Sequence, residues 1–127
     1  MRLIQEDLSD PWQHMVAVIC LNLCTGKVVE PILKKFFDRY PTFESVLRST
    51  PPALELILRP IGLSRVRAKR IYNMSIQYEN WDGEDATQLC GIGKYGSDSY
   101  KIFFKNEIPS DVKDGKLQEY VRRLANG

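Results

Sequence analysis

One histidine, three cysteines, no long apolar run and almost no net charge leave few extremes to explain. The cysteines are Cys20, Cys24 and Cys90, an odd count without a framework, which argues for a reducing compartment. Cys20 and Cys24 sit four apart in an apolar helix and read as core thiols. No third and fourth ligand stands beside them, so neither zinc nor an iron–sulfur cluster is expected. Without a long apolar run no transmembrane helix is expected, and the partners implied exclude a membrane. Arg2, Glu6, Asp7 and Asp10 break up any signal-peptide pattern at the start. At a net charge of +2 the chain is no basic glue, so any affinity for nucleic acid must come from placed groups. Strand-like alternation, repeats and low-complexity segments are missing as well. His14, the single histidine, falls in the first helix with no partner in sight and receives no role.

What is present reads as a single domain over 1–127, long enough to hide roughly two-thirds of its unfolded surface. The fold class is all-α. Asp10-Pro11 is a helix start, a capping carboxylate followed by proline at the first helical position. Trp12, Met15, Val16, Ile19, Cys20 and Leu23 then recur at spacings of three and four, and Gly26 is expected to end that helix. A second helix is predicted over 27–40 with Val28, Ile32, Phe36 and Phe37 inward, stopped by Pro41. Thr42 and Thr50 cap two short helices, and Arg59–Leu63 reads as a loop. Ser64 is expected to cap a longer helix with Val66, Ile71, Met74, Ile76 and Tyr78 inward. Asp82-Gly83 marks a turn, Glu84–Cys90 a short helix, Lys94–Lys105 another, 108–115 a polar loop and Lys116–Leu124 the last helix. Bases gather at Arg59–Arg70, Lys94–Lys105 and Arg122–Arg123, which permits a basic face.

The most informative stretch is Leu89-Cys90-Gly91-Ile92-Gly93-Lys94-Tyr95. Two glycines flank one aliphatic residue between two helices. Glycine permits the positive φ of a sharp turn and a close approach of backbone to ligand. Ile92 can plug the space between the helices, and the new helix offers free amides, with Lys94 and the helix dipole adding to the pull on a phosphate. On mechanics alone this loop is either a phosphate site or a plain packing turn.

The sequence resembles the helix–hairpin–helix DNA glycosylase superfamily, and within it the glycosylase domains of methyl-CpG-binding-domain thymine glycosylases. The likeness runs through Leu3-Ile4-Gln5-Glu6, Asp10-Pro11-Trp12, Leu21-Asn22, Thr25-Gly26-Lys27, Gly62-Leu63 with Arg67-Ala68-Lys69, Gly91–Gly96 with Asp98-Ser99-Tyr100, and Lys116-Leu117 with Tyr120. The resemblance implies enzymes of base excision repair that remove thymine or uracil mispaired with guanine. It implies double-stranded DNA as partner, a nuclear location and a monomer. No cofactor is implied beyond a monovalent cation held by the Leu89 and Ile92 carbonyls.

The same resemblance assigns residues. Asp114, just before the final helix, takes the position of the catalytic carboxylate, with Asp111 as the rival under another alignment. A carboxylate there would stabilise the positive charge that develops on the sugar and orient water. Gln5 and Tyr95 match base-pocket positions, and Lys116 matches one whose backbone helps read the base. Tyr95 stands where bifunctional members carry a lysine nucleophile, which implies a monofunctional enzyme that leaves an abasic site. Gly91, Ile92, Gly93 and Lys94 form the DNA grip, with Leu63 beside Gly62 as the wedge and Lys27, Arg65, Arg67 and Lys69 as phosphate contacts. Two positions depart from the family: Leu23 replaces an arginine that helps fill the space left by the flipped base, and Gly115 stands where histidine is common. Those departures favour a second expectation, a catalytically inactive module on the same fold that binds DNA or a protein. Retained Gln5, Tyr95 and Asp114 oppose it.

Overall fold

A computed structural model describes residues 2–127, and among them there are seven α-helices, three short 3₁₀ turns and no strand. The helices are α1 (Pro11–Leu21), α2 (Gly26–Arg39), α3 (Phe43–Leu47), α4 (Pro51–Leu58), α5 (Ser64–Tyr78), α6 (Lys94–Phe104) and α7 (Gly115–Asn126). The 3₁₀ turns lie at Ile4–Asp7, Arg59–Ile61 and Ala86–Gln88.

Local chemistry starts most of these elements. Asp10, Thr42 and Thr50 accept amides of the first turns of α1, α3 and α4, and proline opens α1 and α4. α1 is the centre of the molecule: Trp12 and His14 through Cys20 are all buried, against α2 on one side and α5 and α6 on others. A helix apolar on nearly every face can only sit inside. Trp12 Nε1 donates to Ser75 Oγ over 2.9 Å, which places the one polar atom of that ring inside the core. A smaller cluster of Leu3, Ile102 and Leu117 ties the N-terminal turn, α6 and α7 together. That cluster brings Gln5 and the start of α7 to the same end of the molecule.

Several expectations change here. Gly26 begins α2 and does not end α1; α1 stops at Leu21, where Asn22 leaves helical geometry and Leu23 takes φ 60°. In α2 the inward stripe is Val29, Ile32, Leu33 and Phe36, while Val28 is exposed. In α5, Val66 and Ile76 are exposed and the buried face is Arg67, Ala68, Ile71, Met74 and Ser75. Ser64 does not cap α5; Leu63 occupies that position with φ 48° and makes no side-chain cap. The expected loop 59–63 contains a 3₁₀ turn at Arg59–Ile61, and the short helix expected over 84–90 is only a 3₁₀ turn at Ala86–Gln88.

Arg67 is the largest of these corrections, because a residue expected to meet phosphate is 1% exposed. Its Nε donates to Gly62 O over 2.9 Å, and one Nη donates to Ile19 O (2.9 Å) and Asn22 O (2.8 Å). The guanidinium therefore satisfies carbonyls at the negative end of α1 and fastens the Gly62-Leu63 tip to the Asn22-Leu23 tip. His14 is the other buried polar group of note. It lies against the Phe103 and Phe104 rings at centroid distances of 5.6 and 5.0 Å, and burial pushes its pKa down from 6.5 to about 4.

Two expectations follow from this core. Arg67→Lys keeps the charge but loses the planar fork, and should lower the unfolding free energy in denaturant by about 2–3 kcal/mol; a loss under about 0.5 kcal/mol would show that the fork matters little. The unfolded chain protonates its histidine at the ordinary pKa whereas the folded chain resists. Stability from His14 is thus complete above pH 6.5 and is lost as pH falls toward 4. The loss should amount to about 3 kcal/mol, and because the sequence has one histidine, His14→Phe should flatten the upper part of that slope in pH-dependent melts.

Candidate functional site

Three helix N-termini converge on one cleft of about 660 Å³. Thr25 and Gly26 bring the start of α2, Gly93 to Gly96 the start of α6, and Asp114 to Lys116 the start of α7. The Asn22–Cys24 loop forms a further wall. α2 and α6 have no side-chain cap, so their first amides face this end of the molecule unpaired by a capping group. Each start carries partial positive charge, and together they make the cleft attractive to anions.

The hairpin that delivers α6 uses its two glycines differently. Gly91 has φ 81°, and a Cβ on it would lie 3.1 Å from Ile19 Cγ1 and 3.3 Å from Arg70 Cβ. It is therefore needed both for the turn and for the close passage of α1 and α5. Gly93 has φ −105° and nothing within 4 Å of an added Cβ, so it leaves open space beside the cleft. Buried Leu89 and Ile92 anchor the turn, and the Ile92 amide donates to Leu89 O over 3.1 Å. Deeper in, Gly96 packs so tightly that a Cβ would meet Ile92 Cγ2 at 2.7 Å and Val18 Cγ1 at 2.8 Å, which fixes α6 on α1.

Asp114 caps α7: its Oδ2 accepts the Lys116 amide at 3.1 Å and the Leu117 amide at 3.0 Å. The other carboxylate oxygen has no hydrogen-bond partner among the described residues, and the residue lines the cleft. The Lys116 amide, expected to help read a base, is thus already donated to the cap. Across the cleft wall, Gln5 Nε2 donates to Tyr95 Oη over 2.6 Å. Burial pushes the Tyr95 phenol up to about 12, opposed by the Gln5 hydrogen bond and reinforced by the nearby Asp114 charge. Tyr95 therefore stays protonated at any ordinary pH. Tyr95 and Lys116 also border a neighbouring depression with Gln5 and Lys27, so these four gather beside the cleft.

Other expected residues fall elsewhere. The Lys94 ammonium is not free: it donates to Asp98 Oδ2 at 2.8 Å and to Asp111 Oδ1 at 3.3 Å. The Asp98 hydrogen bond, with Asp111 adding to it, raises the Lys94 pKa, so the amine stays charged. Asp111 is held below the usual carboxylate range by Lys94 and stands outside the cleft lining, which leaves Asp114 as the cleft's carboxylate. Cys20 is buried, its thiol pushed up to about 12 by desolvation, whereas Cys24 is only half-buried on the cleft wall. Gly62 and Leu63 do not line the cleft, yet Arg67 joins their tip to the loop that does. Leu63 is 51% exposed and Leu23 is 85% exposed, both in left-handed backbone that leucine rarely adopts. Sequence reasoning missed this pairing of tips, and it missed the partner of His14. Ser99 Oγ lies 2.8 Å from His14 Nε2 and 3.4 Å from Gln5 Nε2. The stretch Asp98-Ser99-Tyr100 was the only sequence signal at that point.

The chain is similar to known repair proteins along most of its length. A methyl-CpG-binding domain protein 4-like protein of Arabidopsis thaliana is 31% identical over 102 residues, covering 80% of this chain and 23% of that protein. A thymine/uracil-DNA glycosylase of Pyrobaculum aerophilum is 30% identical over 123 residues, covering 91% of this chain and 53% of the relative. The chain thus spans about half, or less, of the length of these relatives. Among solved structures, a thermostable thymine-DNA glycosylase superposes with a TM-score of 0.77 at 23% identity, over 84% of this chain and 52% of that one. An endonuclease III in a non-covalent DNA complex gives a TM-score of 0.73 at 23% identity, over 93% of this chain and 58% of the other. Those two likenesses show the shared fold. The family model for HhH-GPD superfamily base excision DNA repair proteins matches residues 16–126, and the chain belongs to that superfamily.

Proposed function

We propose that this chain is a monofunctional DNA glycosylase that removes thymine or uracil mispaired with guanine in double-stranded DNA. One observation carries the reading: a carboxylate with an unpartnered oxygen, the Gln5–Tyr95 pair and two uncapped helix starts share one end of the molecule. The names of relatives that act on thymine and uracil support the choice of base.

Flipping a base out of the stack is easiest at a mismatch, where little pairing is lost. The flipped pyrimidine would enter beside Tyr95 and Gln5, whose hydroxyl and amide suit its polar edge. The free oxygen of Asp114 would face the sugar as the N-glycosidic bond lengthens, stabilising its oxocarbenium-like charge and orienting the attacking water. Water adds to the sugar carbon, the base departs with the bonding electrons, and the proton lost by the water ends on the base, leaving an abasic site. No strand cleavage follows in this scheme, since a Schiff base requires a free amine. Tyr95 has none, and the Lys94 amine stays an ammonium between two aspartates.

The uncapped start of α6 and the open space beside Gly93 would receive a backbone phosphate. Main-chain oxygens suit a hard monovalent cation, and the Leu89 carbonyl keeps a lone pair beyond its turn bond; with Ile92 O it would hold such an ion, adding positive charge there. The exposed leucines at the Arg67-linked tips, Leu63 and Leu23, would fill the gap in the stack from two sides. An apolar Leu23 can thereby replace the volume but not the charge of the arginine that the family resemblance implies at this position. A DNA-binding module without catalysis is the second reading, favoured by the cap bonds that already occupy one Asp114 oxygen.

A labelled duplex with one G·T or G·U mispair separates the two. The protein should give strand breaks only after hot alkali, and Asp114→Asn should release base at least about 100-fold more slowly. Asparagine is itself a good cap, so the variant should melt within about 0.5 kcal/mol of the parent. Salt-sensitive binding with no base release from either mispair would leave only the module.

A further inference from the structure

Behind Tyr95 the polar groups continue away from the cleft into the core. The amide end of Gln5 that meets Tyr95 Oη at 2.6 Å also lies 3.4 Å from Ser99 Oγ, and Ser99 Oγ lies 2.8 Å from His14 Nε2. Gln5 is almost completely buried, and Ser99 and His14 are wholly so. The reaction proposed above gives Ser99 and His14 no task.

Counting hydrogens gives them one. Burial keeps the imidazole neutral, so it carries a single N–H. Among the described residues, His14 Nδ1 is the only fully buried side-chain polar atom without a partner. A proton there would be a sealed donor with no acceptor, which native interiors avoid more strictly than a bare lone pair. The proton therefore belongs on Nε2, which donates to Ser99 Oγ. The Ser99 hydroxyl then needs an acceptor for its own hydrogen, and the Gln5 amide is the partner within reach. The structure places Nε2 inward, toward Tyr95 Oη and Ser99 Oγ, but the two ends of an amide have nearly the same outline, and the surrounding hydrogens favour the reverse placement. An inward oxygen accepts from both Ser99 and Tyr95. An inward NH₂ would crowd donors onto the Ser99 oxygen and strand its hydrogen. Among the described residues the outward end of the amide has no hydrogen-bond partner, and Gln5 borders the depression beside Tyr95.

We propose that His14, acting through Ser99, holds the Gln5 amide with its oxygen inward and its NH₂ toward the base pocket, so that the pocket donates to a pyrimidine carbonyl and rejects an amino group in that place. His14 and Ser99 are positioning residues in this scheme, which rests on Gln5 and Tyr95 forming the base pocket. Uracil and thymine offer carbonyl oxygens on both sides of N3–H, whereas cytosine replaces one with an amino group.

The test has two arms on the protein and a third on the function. In ¹⁵N-labelled protein at neutral pH the His14 proton should reside on Nε2; a proton on Nδ1 overturns the relay. Next, duplexes would carry uracil or cytosine opposite an abasic-site analogue, so that no partner base holds either one in the stack. The protein should bind the uracil duplex about tenfold more tightly. Ser99→Ala and His14→Phe should bring that ratio to within about twofold, and His14→Gln, which keeps an N–H toward Ser99, should restore most of it. A ratio unchanged in Ser99→Ala, or near unity in the parent, overturns the specificity role. Circular dichroism melts identify any variant that fails to fold, and the tautomer measurement needs no variant. Uracil release by the parent protein reports separately on catalysis: its absence beside the expected tautomer and ratio removes the enzyme reading and keeps the relay.

Discussion

A cation sealed in the core without a carboxylate partner is the constraint around which the working end of this molecule is arranged. Arg67 bonds to the carbonyls of Ile19, Asn22 and Gly62, so its charge is balanced by the end of α1 and by peptide dipoles. The arrangement sets the length of α1, since Asn22 must turn its carbonyl inward where the helix stops. It also holds two tips in one relative position. Leu23 and Leu63 can stay in left-handed backbone only because the residue before each is pinned. A mobile pair of loops would relax that strain and withdraw both side chains.

The architecture was legible where apolar spacing and capping chemistry agreed. Asp10-Pro11, Thr42 and Thr50-Pro51 start helices as their sequences imply, and Trp12, Met15, Val16 and Ile19 fix the inward face of α1. In α5 the inward face includes Arg67 and Ser75 while Val66 and Ile76 face water. A reading by hydrophobicity chooses the wrong stripe there, because its polar members are satisfied by partners far away in sequence. Val28 and Val29 show a milder form: both fit the helical period with Ile32 and Phe36, and only packing against α1 decides between them.

The sequence named residues that the fold brings together, but not the bonds between them. Gln5, Tyr95, Lys27, Lys116 and Asp114 gather at one end of the molecule. Nothing local says that Lys94 folds back between Asp98 and Asp111, or that Ser99 joins His14 to Gln5. Those bonds span 17 to 94 residues, apart from the Lys94–Asp98 pair, which a helical i, i+4 spacing could have flagged. The glycine pair divides along the same line. Gly91 is dictated by its backbone and neighbours, whereas Gly93 is dictated by nothing inside the protein.

The two oxygens of the Asp114 carboxylate stand in different situations. One oxygen holds the first turn of α7 together, a task that exists whether or not any DNA is present. Selection for folding alone would therefore keep an acidic or amide residue at this position in a lineage that had abandoned chemistry. The converse also holds. A helix that already begins with aspartate at the mouth of a cleft carries a second oxygen at no further structural cost. From such a start a new hydrolase needs a pocket to receive its substrate, and the acid is waiting.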